Sequence, residues 1–189
     1  MILSNREILG RIDRGDLKIF SSSDGDVLES KAIAMDSSSI FLQMDDEIIL
    51  LDEERPPSAQ IEKFDRRLQP EELTFLDEGS RIKIDKIHIL RPGCRCLVYT
   101  KERLELRSQL AGRIDVISSL VRRGLFATFI PGSLHPGFSG RILIELCNRS
   151  HLPLALRPEL TICQLYLEYI VGLVDEKLLR RQQQSQTSP

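Results

Sequence analysis

Apolar and polar residues alternate along most of the chain, with a period of two that is typical of half-buried β-strands. Turn-forming glycine, proline and aspartate residues separate these runs. The alternating or apolar runs are SIFLQM, EIILL, RIKIDKIHIL, RCLVYT, RILIELCN and LTICQLYLEYI. Because no regular helical pattern lies between them, the chain is predicted to be all-β, a sandwich or a barrel, rather than a series of βαβ units.

Two short stretches favour helices instead. Near the N-terminus, Ser4 precedes apolar residues at helical spacing, and Gly15 stands where a helix-ending glycine belongs. In the middle of the chain, residues 118–123 suit one helical turn that ends at Gly124. We therefore expect a short N-terminal helix and a short mid-chain helix beside the strands.

The length and composition suit one domain with a packed core, because 41% of the 189 residues are hydrophobic and 29% are charged. We predict a single domain over residues 1–180 and a flexible polar tail over 181–189. The polar segment 52–73 is predicted to be a surface excursion. The stretch VDEKLLRR at 174–181 is predicted to be a short helix before the tail.

The charge balance excludes some classes of partner. Lysine and arginine total 26 against 28 acidic residues, a formal net charge of -2 that argues against a binder of DNA or RNA polymers. No apolar run approaches the ~20 residues of a membrane span, and the first residues do not resemble a secretory signal. We expect a soluble, cytoplasmic protein that does not bind membranes.

The cysteines favour the core over a metal site. Cys94 and Cys96 form a C-x-C pair, whereas Cys147 and Cys163 stand alone. Structural zinc sites usually show paired C-x-x-C or Cys/His clusters, and neither pattern occurs in this sequence. The zinc-deaminase signature and the phosphate-binding P-loop are also absent. No protein-held metal is therefore expected.

Glu145 stands inside an otherwise apolar strand pattern, ILIELCN, with Leu143 and Cys147 on the same face. A carboxylate among apolar side chains is costly unless it is paired or used in chemistry. The residues alone leave two interpretations equally open. Glu145 is either a proton-transfer group or one half of a structural ion pair with an arginine such as Arg113 or Arg122.

A cluster of hydroxyl and guanidinium groups occupies the mid-chain helical turn. Ser118, Ser119, Arg122 and Arg123 could together bind an anion such as phosphate. The simpler interpretation, an ordinary serine N-cap with solvated arginines, is favoured when the motif is taken alone. A loop rich in glycine and proline follows at 131–140, where His135 is either a ligand contact or a turn residue.

These segments, taken in order, resemble the dCTP deaminase branch of the trimeric dUTPase-like superfamily. The opening MILSNREILGRIDRGDLKI is similar to that family's start. The segments that follow the family's order and spacing are PGCRCLVYTKERLELRSQLAGRIDVISSLVRRGLF, HPGFSGRILIELCN and LPLALRPELTICQLYLE. The resemblance covers most of the chain and is weakest over residues 27–76. It implies a distorted jelly-roll β-barrel and a homotrimer with active sites at subunit interfaces.

The resemblance also implies an activity. Members hydrolyse dCTP to dUTP and ammonia without zinc, with Mg2+ on the triphosphate. Glu145 matches the catalytic glutamate that takes a proton from the attacking water, and Ser118 and Arg122 match residues that position that water and the cytosine ring. The other candidates for substrate binding are Ser119, Arg123 and His135. Dedicated dUTPases carry an apolar residue at the position of Glu145, so this glutamate favours the deaminase branch.

The sequence departs from the family where the nucleotide would be held. Ile117 stands at the position of a phosphate-binding arginine, and His135 stands at that of an aspartate that binds the sugar. The C-terminal segment that closes over the nucleotide is shortened. A second hypothesis is therefore a trimeric nucleotide-binding or regulatory relative that has lost or altered its catalysis. A dUTP pyrophosphatase ranks last, because it needs the aspartate that His135 replaces.

Overall fold

The computed structural model describes residues 1–22, 25–51, 80–107, 109–130, 132–172, 174–175 and 177. Within them, helix α1 spans Asn5–Asp13 and helix α2 spans Ser118–Val121. The strands are β1 Leu17–Phe20, β2 Ser39–Leu50, β3 Ser80–Lys83, β4 His88–Leu90, β5 Arg95–Thr100, β6 Arg103–Leu106, β7 Leu110–Val116, β8 Leu125–Ile130, β9 Ser133–Leu134, β10 Ser139–Gly140, β11 Leu143–Asn148, β12 Leu154–Leu156 and β13 Thr161–Tyr169. The all-β prediction is confirmed, and so are the two helices.

Helix α1 forms for the reasons that the sequence indicates. The Ser4 hydroxyl accepts a hydrogen bond from the amide of Glu7, at 3.4 Å, and so caps the first turn. Ile8 is fully buried beneath the helix. Gly15 follows the last turn with a φ of 71°, a left-handed conformation that glycine adopts without strain.

The main sheet bends round into a nearly closed barrel. Its hydrogen-bonded order is β8-β11-β5-β2-β13-β7-β9, and β3 also pairs with β2. The two strands at the ends of this order, β8 and β9, are consecutive in the chain, since β8 ends at Ile130 and β9 begins at Ser133. Helix α2 also links β7 directly to β8. Both connections keep the two edges of the sheet close together.

Strand β2 corrects one expectation. The runs SIFLQM and EIILL were expected as separate strands, but they form one strand whose register shifts between Met44 and Ile48. The first half pairs with β13 and the second half with β3. The acidic pair Asp45–Asp46 falls at the shift and is held by ion pairs to Arg141 and Lys83. These ion pairs thus stabilise the acidic residues that separate the two apolar runs.

Other boundaries also differ from the sequence pattern. The run RIKIDKIHIL is divided into β3 and β4 rather than being one strand. Six short strands, β1, β6, β8, β9, β10 and β12, together with β7, lie outside the runs that the pattern identified. Five of these strands, β1, β6, β9, β10 and β12, have two to four residues, which are too few positions to display a period. The predicted excursion at 52–73 and tail at 181–189 lie outside the described residues, as does most of the predicted helix at 174–181.

The core is aliphatic and contains two of the cysteines. Cys96 and Cys163 are fully buried among leucine and isoleucine side chains, as predicted. Burial raises the pKa of the Cys96 thiol to about 12, so the thiol stays protonated at neutral pH. Cys94 and Cys147 are half-buried.

Glu102 is a buried carboxylate that holds the β5–β6 turn against β2. Its Oε2 accepts a hydrogen bond from the amide of Gln43 at 2.9 Å, and the Thr100 hydroxyl donates to its carbonyl oxygen at 2.9 Å. Burial raises the pKa of the Glu102 carboxyl above its usual value, because the charged form is poorly solvated. Folding therefore favours the protonated form of Glu102 more than the unfolded chain does.

We expect the raised pKa of Glu102 to appear in the free energy of unfolding measured over a series of pH values. The stabilisation that Glu102 contributes is complete below its unfolded-state pKa and is lost as the pH rises through its raised folded-state pKa. Glu102→Gln should therefore gain free energy of unfolding relative to wild type as the pH rises from 4 to 8. Glu102→Ala should lose about 1–3 kcal/mol at every pH, because it leaves the Gln43 amide unsatisfied. Urea unfolding at fixed protein concentration measures both.

Glu159→Gln is the matched control with the opposite sign. Lys101 lowers the pKa of the exposed Glu159 carboxyl by a side-chain hydrogen bond. That stabilisation is present above the unfolded-state pKa and is lost as the pH falls, so this variant should lose stability relative to wild type as the pH rises. Parallel curves for the two glutamine variants would contradict the account of Glu102.

Candidate functional site

Glu145 lies on the outer face of the sheet formed by β8, β11 and β5, which we define as the side turned away from the core. Its neighbours Ile144 and Leu146 point into the core, whereas Leu143, Glu145 and Cys147 are half-exposed. The expectation of a carboxylate in a core-like environment is therefore wrong. Side chains alternate along β11, and the apolar residues on either side of Glu145 belong to the opposite face.

Arg95 is the partner of Glu145. Its Nη1 donates to the Oε1 of Glu145 at 2.9 Å, and the side chains are 58% and 24% exposed. The sequence suggested Arg113 or Arg122 as the partner of Glu145. The strand order shows that this suggestion is wrong. Arg113 lies on β7, where it pairs with Asp115 and Glu168. One carboxylate oxygen of Glu145 is held by Arg95, and the other has no protein donor among the described residues.

Helix α2 differs from a serine-capped helix. Its N-cap is Ile117, which makes no side-chain capping bond, so the favoured interpretation of Ser118 or Ser119 as an ordinary N-cap is wrong. Ile117 is half-buried and packs against the core. Ser118 is exposed and Ser119 is half-exposed. The Ser118 hydroxyl is thus not committed to capping this helix.

The register of β8 and β11 brings the end of α2 towards Glu145. Glu145 pairs with Thr128, and Asn148 pairs with Leu125, the first residue of β8. Glu145 therefore lies three residues of strand, about 10 Å, from the level of Leu125, which follows α2 after a three-residue turn. This places the residues after α2 and the proposed catalytic carboxylate along one edge of the barrel.

His135 is not part of this grouping within one chain. It follows β9, which pairs with Gly112 and Arg113 at the start of β7, whereas Ser118 follows the end of β7. Four residues of strand, from Gly112 to Val116, separate the two levels by about 14 Å. His135 is exposed, and its carbonyl accepts a hydrogen bond from the amide of Phe138 at 3.1 Å, as in an ordinary turn.

Two arginines near this edge were missed by the sequence reasoning. Arg95 contacts Glu145, and Arg149 stacks its guanidinium over the ring of Phe126, with 4.7 Å to the ring centroid. Neither arginine belongs to a recognisable motif. The burial of β5 does not alternate, and Leu97 on the same face is fully buried, so no pattern in the sequence singles out Arg95.

A cleft of about 230 Å³ opens elsewhere, between β1, β2 and the β5–β6 turn. Its polar groups are engaged with one another or with neighbours: Glu102 accepts from Gln43, and Lys101 pairs with Glu159. The sequence-predicted site residues do not line it. We therefore assign the candidate site to the outer face and not to this cleft.

The described residues contain no group of three or more histidine, cysteine, aspartate or glutamate side chains that could hold a metal ion. Among the same residues, no helix has the length and apolar character needed to cross a bilayer.

The antiparallel barrel presents a half-exposed glutamate, several arginines and serines that do not cap a helix along one edge. This set of side chains suits a small, polar, anionic ligand. A model of the dCTP deaminase-like family matches residues 2–170. The chain therefore belongs to the dCTP deaminase-like family, as its motifs indicated.

Similar proteins carry two forms of that name. A protein of Corynebacterium kroppenstedtii named "dCTP deaminase, dUMP-forming" is 37% identical over 167 residues, 88% of this chain and 81% of that protein. One of Halobacterium salinarum with the same name is 29% identical over 175 residues, 93% of this chain and 84% of that one. A protein of Alteromonas mediterranea named "dCTP deaminase" is 30% identical over 170 residues, covering 90% and 83%.

The fold is also found in a solved structure. The crystal structure of 2'-deoxycytidine 5'-triphosphate deaminase from Agrobacterium tumefaciens matches 98% of this chain with a TM-score of 0.65 and 17% sequence identity. This chain spans 53% of that chain's length. The likeness shows that the two chains share this barrel fold.

Proposed function

We propose that this protein deaminates dCTP to dUTP and ammonia by a hydrolysis in which Glu145 activates the water. The observation that carries the proposal is the environment of the Glu145 carboxylate. This carboxylate is half-exposed, with one oxygen held by Arg95 and the other open. A carboxylate held in this way can take a proton from water without reorienting. Membership of the dCTP deaminase-like family supports the substrate.

The proposed chemistry adds water to the ring carbon that bears the amine. Glu145 takes a proton from the water as the carbon–oxygen bond forms and passes it to the adjacent ring nitrogen, which accepts the electrons of the C=N bond. The proton of the new hydroxyl then moves to the amine, the carbon–nitrogen bond breaks as the carbonyl forms, and ammonia leaves. Ser118 and Arg122 orient the water and the ring in this scheme, and Ser119 and Arg123 contact the substrate. Mg2+ is proposed to enter on the oxygens of the triphosphate and not on a protein site.

We further propose that the complete site forms between the subunits of a homotrimer. His135 follows the strand that pairs with the start of β7, whereas Ser118 follows the end of β7, and about 14 Å of strand separates the two levels, so one chain does not bring the two residues together. An adjoining subunit can supply His135 to the edge that carries Glu145.

The names of the relatives favour a second candidate. Several are called dUMP-forming, which corresponds to deamination followed by release of pyrophosphate. The replacement of an aspartate by His135 speaks against the second step. Both candidates share the deamination that depends on Glu145, and they differ in whether pyrophosphate accumulates.

One assay decides between the candidates. The purified protein is incubated with dCTP and Mg2+, and ammonia, pyrophosphate and the uracil nucleotide are followed together. We expect ammonia and dUTP in equal amounts without pyrophosphate. Equal amounts of ammonia, pyrophosphate and dUMP would instead establish the dUMP-forming reaction.

The remaining outcomes overturn the proposal. A shift in melting temperature with dCTP or dUTP, without any product, would identify a nucleotide-binding or regulatory protein. Pyrophosphate released from dUTP, with no ammonia from dCTP, would identify a dUTP pyrophosphatase. CTP serves as the control substrate for the sugar, and a reaction without Mg2+ as the control for the metal.

A further inference from the structure

Two arginines that are distant in sequence lie close together in the backbone at the edge that carries Glu145. Arg123 follows α2, and Arg149 follows β11; we call these two residues the arginine cluster. The amide of Arg149 donates to the carbonyl of Gly124, the residue directly after Arg123, at 2.8 Å. The two segments are therefore joined by a hydrogen bond and are not loops that meet by chance.

Gly124 makes this close approach possible. Its φ is 86°, a left-handed conformation, and a Cβ added there would lie 2.6 Å from the Cβ of Ser150. The chain after α2 thus packs directly against the turn that carries Arg149. This contact fixes the spacing between Arg123 and Arg149.

Arg149 is held in a specific orientation. Its guanidinium lies over the ring of Phe126, 4.7 Å from the centroid, although that ring is 39% exposed. Stacking leaves the N–H groups at the edge of the guanidinium free, and these groups match the geometry of phosphate oxygens. Phe126 therefore supports the guanidinium of Arg149 and leaves its N–H donors available to a ligand.

The charges around the arginine cluster are not balanced by the protein. Both side chains are exposed, and neither has an acidic partner among the described residues. The nearby carboxylate on the outer face, Glu145, is already paired with Arg95. In a chain whose formal net charge is -2, such a concentration of positive charge attracts anions to this edge.

We propose that the arginine cluster binds the phosphate groups of the nucleotide, with Arg149 on Phe126 as a contact that no sequence motif indicates. The identity of the nucleotide rests on the proposed function, but phosphate binding is measurable without it. The half-buried Ile117 offers no charge at the start of α2, so the cations that follow the helix are the ones available for the phosphates.

Inorganic tripolyphosphate is the probe that tests the proposal directly. Isothermal titration at low ionic strength should give an affinity that Arg149→Gln and Arg123→Gln each weaken by roughly 10-fold or more, the loss of one charge-assisted contact. Arg149→Lys keeps the charge and should weaken it less. Arg6→Gln, which removes an exposed arginine on α1, is the matched control and should bind as wild type does. Equal affinity in wild type and Arg149→Gln would overturn the proposal.

Steady-state kinetics provides the second measurement. Arg149→Gln should raise the KM for dCTP by about 10-fold and change kcat by less than about 2-fold, since the contact is the same in the ground and transition states. A fall in kcat at unchanged KM would contradict a role in phosphate binding. Circular dichroism spectra and melting temperatures that match wild type exclude misfolding as the cause.

The two proposals fail in different ways. If wild type binds tripolyphosphate through Arg149 but releases no ammonia from dCTP, the deaminase function is wrong and the phosphate site stands. If wild type releases ammonia, and Arg149→Gln leaves both tripolyphosphate affinity and KM unchanged, the phosphate site is wrong and the function stands.

Discussion

Glu145→Gln is expected to reduce kcat for dCTP deamination by about 100- to 10,000-fold, the contribution usually made by a positioned general base. Glutamine has the same shape as glutamate but cannot take a proton from water at neutral pH. Its amide oxygen can still accept the hydrogen bond from Arg95 that Oε1 accepts at 2.9 Å in the wild type. The variant should therefore fold normally and bind the nucleotide while losing the chemical step.

Glu105→Gln provides the matched control. Glu105 lies on β6, is 33% exposed and pairs with Arg103 at 2.8 Å, so it resembles Glu145 in exposure and in its arginine partner. Ammonia release should stay within about 2-fold of wild type, since exposed ion pairs contribute little. Deamination by Glu145→Gln at the wild-type rate would remove Glu145 from its proposed role.

Asn148→Asp is expected to cause the largest loss of stability, about 3–5 kcal/mol in the free energy of unfolding. Asn148 is fully buried, and its Nδ2 donates to the carbonyls of Leu90 and Leu152 at 2.9 and 2.8 Å. Its Oδ1 accepts from the amide and the hydroxyl of Ser150. An aspartate would turn a charged oxygen towards two carbonyl oxygens and would leave both without a donor.

The measurement is guanidinium chloride unfolding at neutral pH, with Asn5→Asp as control. Asn5 is exposed at the first residue of α1, where a carboxylate is favourable beside the free amides of the helix. The control should be neutral or slightly stabilising. A loss below about 1 kcal/mol for Asn148→Asp would show that this buried network contributes little.

The same network carries the turn that presents Arg149. Asn148 joins β11, the strand of Glu145, to the residues that pack on Gly124. Loss of Asn148 should therefore also weaken tripolyphosphate binding in the fraction of protein that still folds. Stability and phosphate binding are coupled at this position because one buried side chain supports both segments.

Local features of the sequence were sufficient to predict those parts of the structure that neighbouring residues determine. The run RCLVYT matches the observed limits of β5, Arg95–Thr100, because all its residues belong to one paired strand. Gly15 and Gly124 end their helices at positive φ, as their positions indicated. Steric and periodic constraints of this kind act over a few residues, so they can be read without knowing the partners of a segment.

The contacts of the site depend on partners that are distant in sequence. Glu145 was expected to pair with Arg113 or Arg122, and it pairs with Arg95, 50 residues away. Strand order explains the difference, since β11 lies between β5 and β8 while Arg113 is on β7. The acidic residues Asp45–Asp46 separate two apolar runs in the sequence, but ion pairs to Arg141 and Lys83 hold them within one strand.

The alternation of apolar residues, the placement of glycines and the order of the motifs thus specified a dUTPase-like barrel with two short helices. The face on which Glu145 lies, its pairing with Arg95, and the approach of Arg149 to the end of α2 became visible only in the folded chain. Register explains this division, because shifting one strand by a single residue would move every side chain to the other face without altering the pattern itself.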